Sequence, residues 1–314
     1  MAPPSNTFAA YDATGNREDL SDVIYNVSPF DTPFMSSIAA VDATGTKHEW
    51  QTDALASASG SNFVEDGLDA ATTSTTATTR LFNYTAISDK VPRVSGTQQA
   101  VLKAGRGDEL EYQIAKTAKE LKTDMETILL QSNIQVAASS GTAPETGGIT
   151  TWIVTNLSEG AGATTSTGAG ANARAAGTAR VFTESQLKEV LREAWTSGGN
   201  PDCIMVGGFN KQKFSGFTGN ATREVQANEK ELFASIDVYD SDFGELQVFP
   251  NRFQNAADAL VLQKDMWAVA YLRQFQLHDL AKTGDSERRQ LLVEYALESR
   301  NEAASGAVLD LTTS

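Results

Sequence analysis

The sequence predicts an α+β fold in an elongated subunit that leaves part of its apolar surface for other molecules to cover. Three observations carry that prediction. Residues 106–132 read as one long helix with a single narrow seam, because Leu110, Ile114, Ala118, Leu121, Met125 and Ile128 recur at intervals of four and three, while Lys116, Lys119, Lys122 and Glu126 point elsewhere. Residues 46–100 hold two extended runs separated by a Thr-, Ser- and Ala-rich stretch, and most of the apolar segments after residue 200 read as strands. At ~1.5 Å per residue the helix spans roughly 40 Å, about the width of a small domain. Flanking arms this weakly hydrophobic cannot enclose such a strut, so its missing contacts are expected from neighbouring copies.

Composition bounds the rest. With 314 residues and 40% hydrophobic content the chain can bury a sizeable core and has room for about two domains of ~150 residues. Its 25 Lys plus Arg against 40 Asp plus Glu give a formal charge of −15, with the acids scattered along the chain. Wrapping nucleic acid requires clustered cations to neutralise phosphates, so tight DNA binding is not expected of this surface. Cys203 is the sole cysteine, which excludes an internal disulfide and makes the cytoplasm the default compartment. No apolar run approaches ~18 residues and the first 20 residues lack a basic start, so neither a membrane span nor a signal peptide is expected.

Taken in order, residues 1–45 carry Pro3, Pro4, Pro29 and Pro33 without sustained periodicity and read as an extended arm. Within it Phe30 and Phe34 are aromatic anchors on a proline-stiffened backbone, which lowers the entropy lost on docking. Lys47, Glu49 and Gln51 alternate with His48 and Trp50, and Leu81 to Ile87 form a second extended run. These are the legs of a long hairpin whose tip, Ala54 to Thr79, has too few apolar residues for a core of its own. Asp108 is placed to cap the long helix, Glu111 to complete a capping box, and Gly105 and Gly107 break the chain just before it.

After Gln135 a Gly-, Ala-, Ser- and Thr-rich tract runs to about Gly177 and reads as mobile loop, interrupted by a short strand at Gly148 to Val154. Thr183 with Gln186 makes a second capping box, opening a helix with Leu187, Val190, Leu191, Ala194 and Trp195 on its apolar face, closed by Gly198, Gly199 and Pro201. Cys203 to Val206 is a strand, residues 209–235 mix helix and loop, and Ile236 to Tyr239 pairs with Leu246 to Pro250 about Asp242-Phe243-Gly244. Leu260 to Leu262 and Met266 to Leu272 are buried strands. In the last strand Leu291, Val293, Tyr295 and Leu297 share one face and Glu294 and Glu298 the other, the pattern of a half-buried sheet strand.

The chain offers little that chemistry could use. His48 and His278 are the only histidines, and His48-Glu49 lacks the second histidine of a zinc-protease motif, so it reads as a paired strand histidine. Gly168 to Ala173 matches a loose G-x-G-x-x-A without the strand before or the helix after that nucleotide binding requires. Asp237, Asp240, Asp242 and Glu245 could gather around a cation, but Gly244 stands where a calcium loop needs an acid, which favours a solvated turn. Arg106-Gly107-Asp108 resembles an adhesion tripeptide, yet its aspartate is placed to cap a helix. Cys203 has no neighbouring His to activate it and reads as a small buried hydrophobe. No catalytic, cofactor-binding or metal-binding residue emerges, and no enzyme activity or cofactor is expected.

Several stretches together resemble the major capsid proteins of tailed bacteriophages with the Hong Kong 97 fold. They are Ser28-Pro29-Phe30-Asp31-Thr32-Pro33-Phe34, Lys47 to Asp53, the Gly105 to Leu130 helix, Phe209-Asn210-Lys211-Gln212, Trp267 to Arg273, Ala281 to Ser286, Val293-Glu294-Tyr295 and Arg300 to Ala303. Each is weak alone; in this order they cover nearly the whole chain. The resemblance implies an N-terminal arm (1–45), an extended loop (46–100), a peripheral domain on the long spine helix (101–180), an axial domain (181–269) and a return to the peripheral domain (270–314). It implies pentamers and hexamers closing an icosahedral shell around double-stranded DNA, assembled in the bacterial cytoplasm. The implied partners are other copies of the chain, a separate scaffolding protein, a portal protein, a possible decoration protein and DNA in weak non-specific contact, with no membrane. Candidate assembly residues are Phe30, Phe34, Trp50, Phe63, Arg93, Glu111 and Lys119. Nothing marks Lys47 or Lys90 for the side-chain crosslinks of some relatives. The competing reading is a fibre or head-decoration protein, which should show repeats or sustained heptads that are absent here.

Overall fold

The protein is described from a computed structural model, over residues 31–69, 72–103, 107–217 and 238–314. In chain order the elements are helix α1 (Pro33–Ser37), strands β1 (Ala39–Asp42), β2 (Lys47–Thr52), β3 (Thr79–Tyr84), β4 (Ala86–Lys90) and β5 (Arg93–Ser95), then helices α2 (Gly96–Ala100) and α3 (Glu109–Leu130). They continue with β6 (Leu157–Ser158), α4 (Glu184–Thr196), β7 (Cys203–Val206), α5 (Gly208–Ser215), β8 (Val238–Ser241) and β9 (Gly244–Pro250). The chain ends with β10 (Ala259–Leu262), β11 (Trp267–Asp279), β12 (Ser286–Ser299) and β13 (Gly306–Val308).

Three sheets organise these strands. A five-stranded sheet runs β1-β11-β12-β4, with β5 also paired to β12, and α3 packs across β12 and β4. A six-stranded sheet runs β6-β13-β10-β7-β9-β8, and β2 with β3 forms a separate two-stranded ribbon. The six-stranded sheet draws on Leu157–Ser158 and Gly306–Val308 as well as on residues inside 181–269, and the five-stranded sheet takes β1 from the arm and β4 and β5 from the extended-loop region. Hydrogen bonding therefore crosses every boundary drawn from sequence.

The long helix starts where its cap predicts. Asp108 Oδ1 accepts from the Leu110 N–H at 2.8 Å and the Glu111 N–H at 3.1 Å, satisfying two of the donors that a helix start leaves open. Leu110, Leu121 and Met125 of the seam are buried and Ile114, Ala118 and Ile128 half-buried, with Leu129 and Leu130 completing the buried face. Across the helix Lys90 Nζ reaches Asp124 at 2.8 Å and Glu120 at 3.6 Å, tying α3 to β4.

The six-stranded sheet separates two hydrophobic cores. Cys203 and Met205 of β7 and Leu260 and Leu262 of β10 face a core shared with α3, β11 and β12. Ile204, Val206, Ala259 and Val261 face a second core closed by Leu187, Val190 and Leu191 of α4 and Phe214 of α5. Alternate residues of one strand thus enter different cores, which is why Cys203 to Val206 is apolar throughout. Burial pushes the Cys203 thiol up to about 12.

Several sequence expectations are corrected. Gly148 to Val154 is not a strand: Ile149–Thr151 forms a 3-10 turn that buries Ile149, Trp152 and Ile153. The run ending at Ile87 is two strands, since the chain leaves the ribbon after Tyr84 and β4 joins β12. The tract after Gln135 is pinned rather than loose. Gln135 Nε2 donates to Ala169 O at 2.6 Å, and the half-buried Arg174 pairs with Asp310 at 2.7 Å and Glu159 at 3.3 Å. From residue 291 to 299 β12 is buried on both faces, Glu294 and Glu298 included. The capping box of α4 forms, with the Thr183 N–H donating to Gln186 Oε1 at 3.0 Å. Trp195 lies outside the α4 core, exposed and stacked on Phe243 at 5.4 Å between ring centroids. The β8–β9 hairpin forms with longer strands about the turn than expected, Ser241 facing Gly244 across Asp242-Phe243 and Gly244 opening β9 at φ +136°, a value open to glycine. Ile236, Asp237 and residues 218–235 lie outside the described residues.

Candidate assembly surfaces

The β2–β3 ribbon is held at its root by side chains of its own subunit. Trp50 Nε1 donates to Ser299 O at 2.7 Å, and its ring meets Trp152 at 5.4 Å. His48 Nε2 lies 2.8 Å from Glu298 Oε2, and Arg300 Nε donates to the other oxygen at 2.8 Å. Burial alone would raise the Glu298 carboxyl, but the His48 and Arg300 bonds outweigh it and hold it below the usual carboxylate range. Asn83, fully buried, donates to Leu297 O at 2.8 Å and accepts from the Gly147 N–H at 2.9 Å. Thr85 Oγ1 donates to Glu294 Oε1 at 2.8 Å, and Arg273 Nε pairs with Glu294 Oε2 at 2.7 Å.

The far end of the same ribbon is bare. Between Thr52 and Thr79 the described residues carry no helix or strand, and Leu55, Phe63, Val64 and Leu68 are 100%, 88%, 71% and 61% exposed. Residues 53–79 contain Asp53, Glu65, Asp66 and Asp69 and no Lys or Arg. The tip therefore exposes a few large apolar side chains beside acidic ones. Covering one such large side chain contributes about 1.5–3 kcal/mol, and nothing among the described residues provides that cover.

The candidate assembly residues separate accordingly. Phe63 sits on the exposed tip. Arg93 is exposed on β5, where its Nε donates to Ser286 Oγ at 2.9 Å; it borders an open hollow of about 550 Å³ lined also by Lys90, Gln98, Glu109 and Glu120. Glu111 and Lys119 are exposed along α3. Phe34 and Trp50 turn inward to the same core, Phe34 fully buried within it and Trp50 half-buried against it, so both anchor the subunit itself. Phe30 lies outside the described residues.

Glu126 overturns its sequence reading. It is wholly buried, with Oε1 accepting from the Phe34 N–H and from Asn251 Nδ2, each at 2.7 Å, and Oε2 accepting from the Met35 N–H at 2.9 Å. Burial pushes its carboxyl above the usual range, opposed by these three donors. No local sequence signal marks it, because all three donors come from distant segments.

Of the chemical motifs, Gly168 to Ala173 is a turn with Gly168 and Gly170 at positive φ, followed by no helix until Glu184. Asp108 of the adhesion-like tripeptide caps α3, while Arg106 lies outside the described residues. Among the described residues no three His, Cys, Asp or Glu side chains group as metal ligands, and no helix is long and apolar enough to cross a membrane.

Comparison with known proteins agrees with this architecture. The major capsid protein of Escherichia phage Phieco32 is 29% identical over 345 residues, covering 98% of this chain and 97% of that protein. Among solved structures, the capsid asymmetric unit of cyanophage A-1(L) superposes with a TM-score of 0.65 at 14% identity, over 98% of this chain and 100% of the other. The capsid of the native GTA particle gives 0.64 at 12% identity over 96% and 98%, and a chain of Gordonia phage Cozz 0.63 at 12% over 99% and 98%. At these identities the structures establish the shared phage-capsid fold. The sequence model of the SU10 major capsid protein matches residues 4–312. That match decides against the fibre and decoration alternatives, and the chain belongs to the SU10 major capsid protein family.

Proposed function

We propose that this capsid protein assembles into pentamers and hexamers that close an icosahedral shell around double-stranded DNA, each subunit laying its ribbon tip on a neighbour. One observation carries the reading: Leu55, Phe63, Val64 and Leu68 are exposed at the end of a ribbon whose root is fully engaged. In this scheme the six-stranded sheet is the axial part, next to the capsomer axis, and α3 with the five-stranded sheet is the peripheral part. Many such contacts, each modest, add up to a stable container while remaining individually reversible during growth.

The remaining partners follow from this scheme. Assembly takes place in the bacterial cytoplasm with a separate scaffolding protein, and a portal protein occupies one vertex; a decoration protein is compatible with the outer surface. Scattered acidic charge suits a wall that contacts DNA weakly and without sequence preference. DNA packaging then drives expansion, with subunits rotating and tips docking again.

The test replaces residues 53–78 by an Asn-Gly turn, which the facing Thr52 and Thr79 accept as a two-residue hairpin. Electron microscopy should show closed shells from the full chain and none from the variant, with the variant still a folded, soluble subunit. Normal shells from the variant would refute the role of the tip.

A further inference from the structure

Glu126 joins three segments that are far apart in sequence. It belongs to α3. Its carboxylate takes the Phe34 and Met35 N–H groups at the point where the arm enters the fold, 92 and 91 residues away. It also takes the Asn251 amide, 125 residues away, at the end of β9. Asn251 is itself held in the six-stranded sheet, its N–H donating to Val206 O at 2.9 Å and its Oδ1 accepting from the Phe253 N–H at 2.9 Å.

The choice of an acid here is informative. All three donors are neutral, and no cation among the described residues contributes to the electrostatics of the site. Burying a carboxylate carries a large desolvation cost, and an apolar side chain would fill the same space without it. An ionised carboxylate offers acceptors on both oxygens and no donor, which matches a site presenting donors only. The bonds are charge-assisted and share one group, so loss of one partner shifts the carboxylate away from the others.

We propose that Glu126 is a three-way latch, a positioning residue that makes release of the arm's exit and movement of the six-stranded sheet against α3 a single event. Its use in shell expansion rests on the proposed function above: the arm can be laid anew only as the sheet rotates. Linkage makes the coupling reciprocal, so loosening the sheet loosens the arm to the same degree.

The experiment measures amide hydrogen exchange, peptide by peptide, on the full-length unassembled subunit. Glu126→Gln should speed exchange in residues 33–38 and in residues 251–258 together, by about tenfold or more for the loss of one charge-assisted bond, and leave residues 291–297 at the wild-type rate. Glu111→Gln, exposed on the same helix, should change neither. Asn251→Ala is the sharper variant and covers the case in which Glu126→Gln fails to fold. It should speed exchange in residues 33–38, whose Phe34 and Met35 amides bond the carboxylate and not Asn251. Acceleration confined to residues 251–258 in Asn251→Ala, or spread equally over all segments in Glu126→Gln, would overturn the latch. The measurement needs no particles, so a wild-type chain that forms no shells would overturn the shell reading separately.

Discussion

The two ends of the β2–β3 ribbon obey different rules. At the root Trp50, His48, Asn83 and Thr85 are bonded to residues 147 and 294–299 of the same chain. At the tip Leu55, Phe63, Val64 and Leu68 face solvent beside four acids. A root this well fixed gives the tip a defined reach and direction, and a tip this bare gives it a reason to bind. On the proposed function, contacts that stabilise the subunit and contacts made in the shell are separated along one hairpin.

The largest effect that would break this comparison is on assembly. Exchanging the tip for a two-residue turn should abolish shells while the melting temperature of the subunit stays within a degree or two of wild type, as calorimetry would record; a subunit that unfolds would place the tip inside the folding unit. On the other side, Phe34→Ala empties a fully buried site beside Leu121, Met125 and Leu129, and should destabilise the subunit by about 3–5 kcal/mol in denaturant titrations. A loss confined to assembly would return Phe34 to the interface.

A smaller effect separates the buried carboxylates of the body from the solvated acids of the tip. Asp258 is buried, accepts from Asn255 Nδ2 at 3.0 Å, and is pushed up to about 6 by burial. A carboxyl raised in the folded state contributes stability below its unfolded value, which is lost as pH rises from about 4 through about 6. Asp258→Asn should therefore stabilise the subunit at neutral pH by about 2–3 kcal/mol, with the gain vanishing near pH 4. A gain that persists at pH 4 would contradict the assignment. The smallest effect on folding belongs to Phe63→Ala, which should change stability by less than about 0.5 kcal/mol while raising the protein concentration at which shells appear in light scattering.

What could be read from sequence follows the same division. The Lys47 to Thr52 alternation was legible because the ribbon is half-exposed and its period of two survives. Asp108 and Thr183 declared their helices because caps are local. The tip was legible through its poverty in apolar residues. Hidden instead were features set by contacts outside the local sequence pattern, most of them more than 90 residues apart. Glu126 looked like a solvated helix residue because its three donors come from the arm and from Asn251. Glu294 and Glu298 imitated an exposed strand face because Arg273, Thr85, His48 and Arg300, which neutralise or bond them, lie elsewhere in the chain or around the strand end. For the same reason sequence alone points Trp50 and Phe34 towards neighbours: an aromatic residue on a weakly apolar segment calls for cover, and sequence does not say whose.

The most direct test of the separation is hydrogen exchange along the ribbon before and after assembly. Residues 53–69 should exchange freely in the isolated subunit and become protected in the finished shell, while residues 47–52 and 79–84 should be protected equally in both. A tip that exchanges as fast in the shell as in the free subunit would contradict the separation.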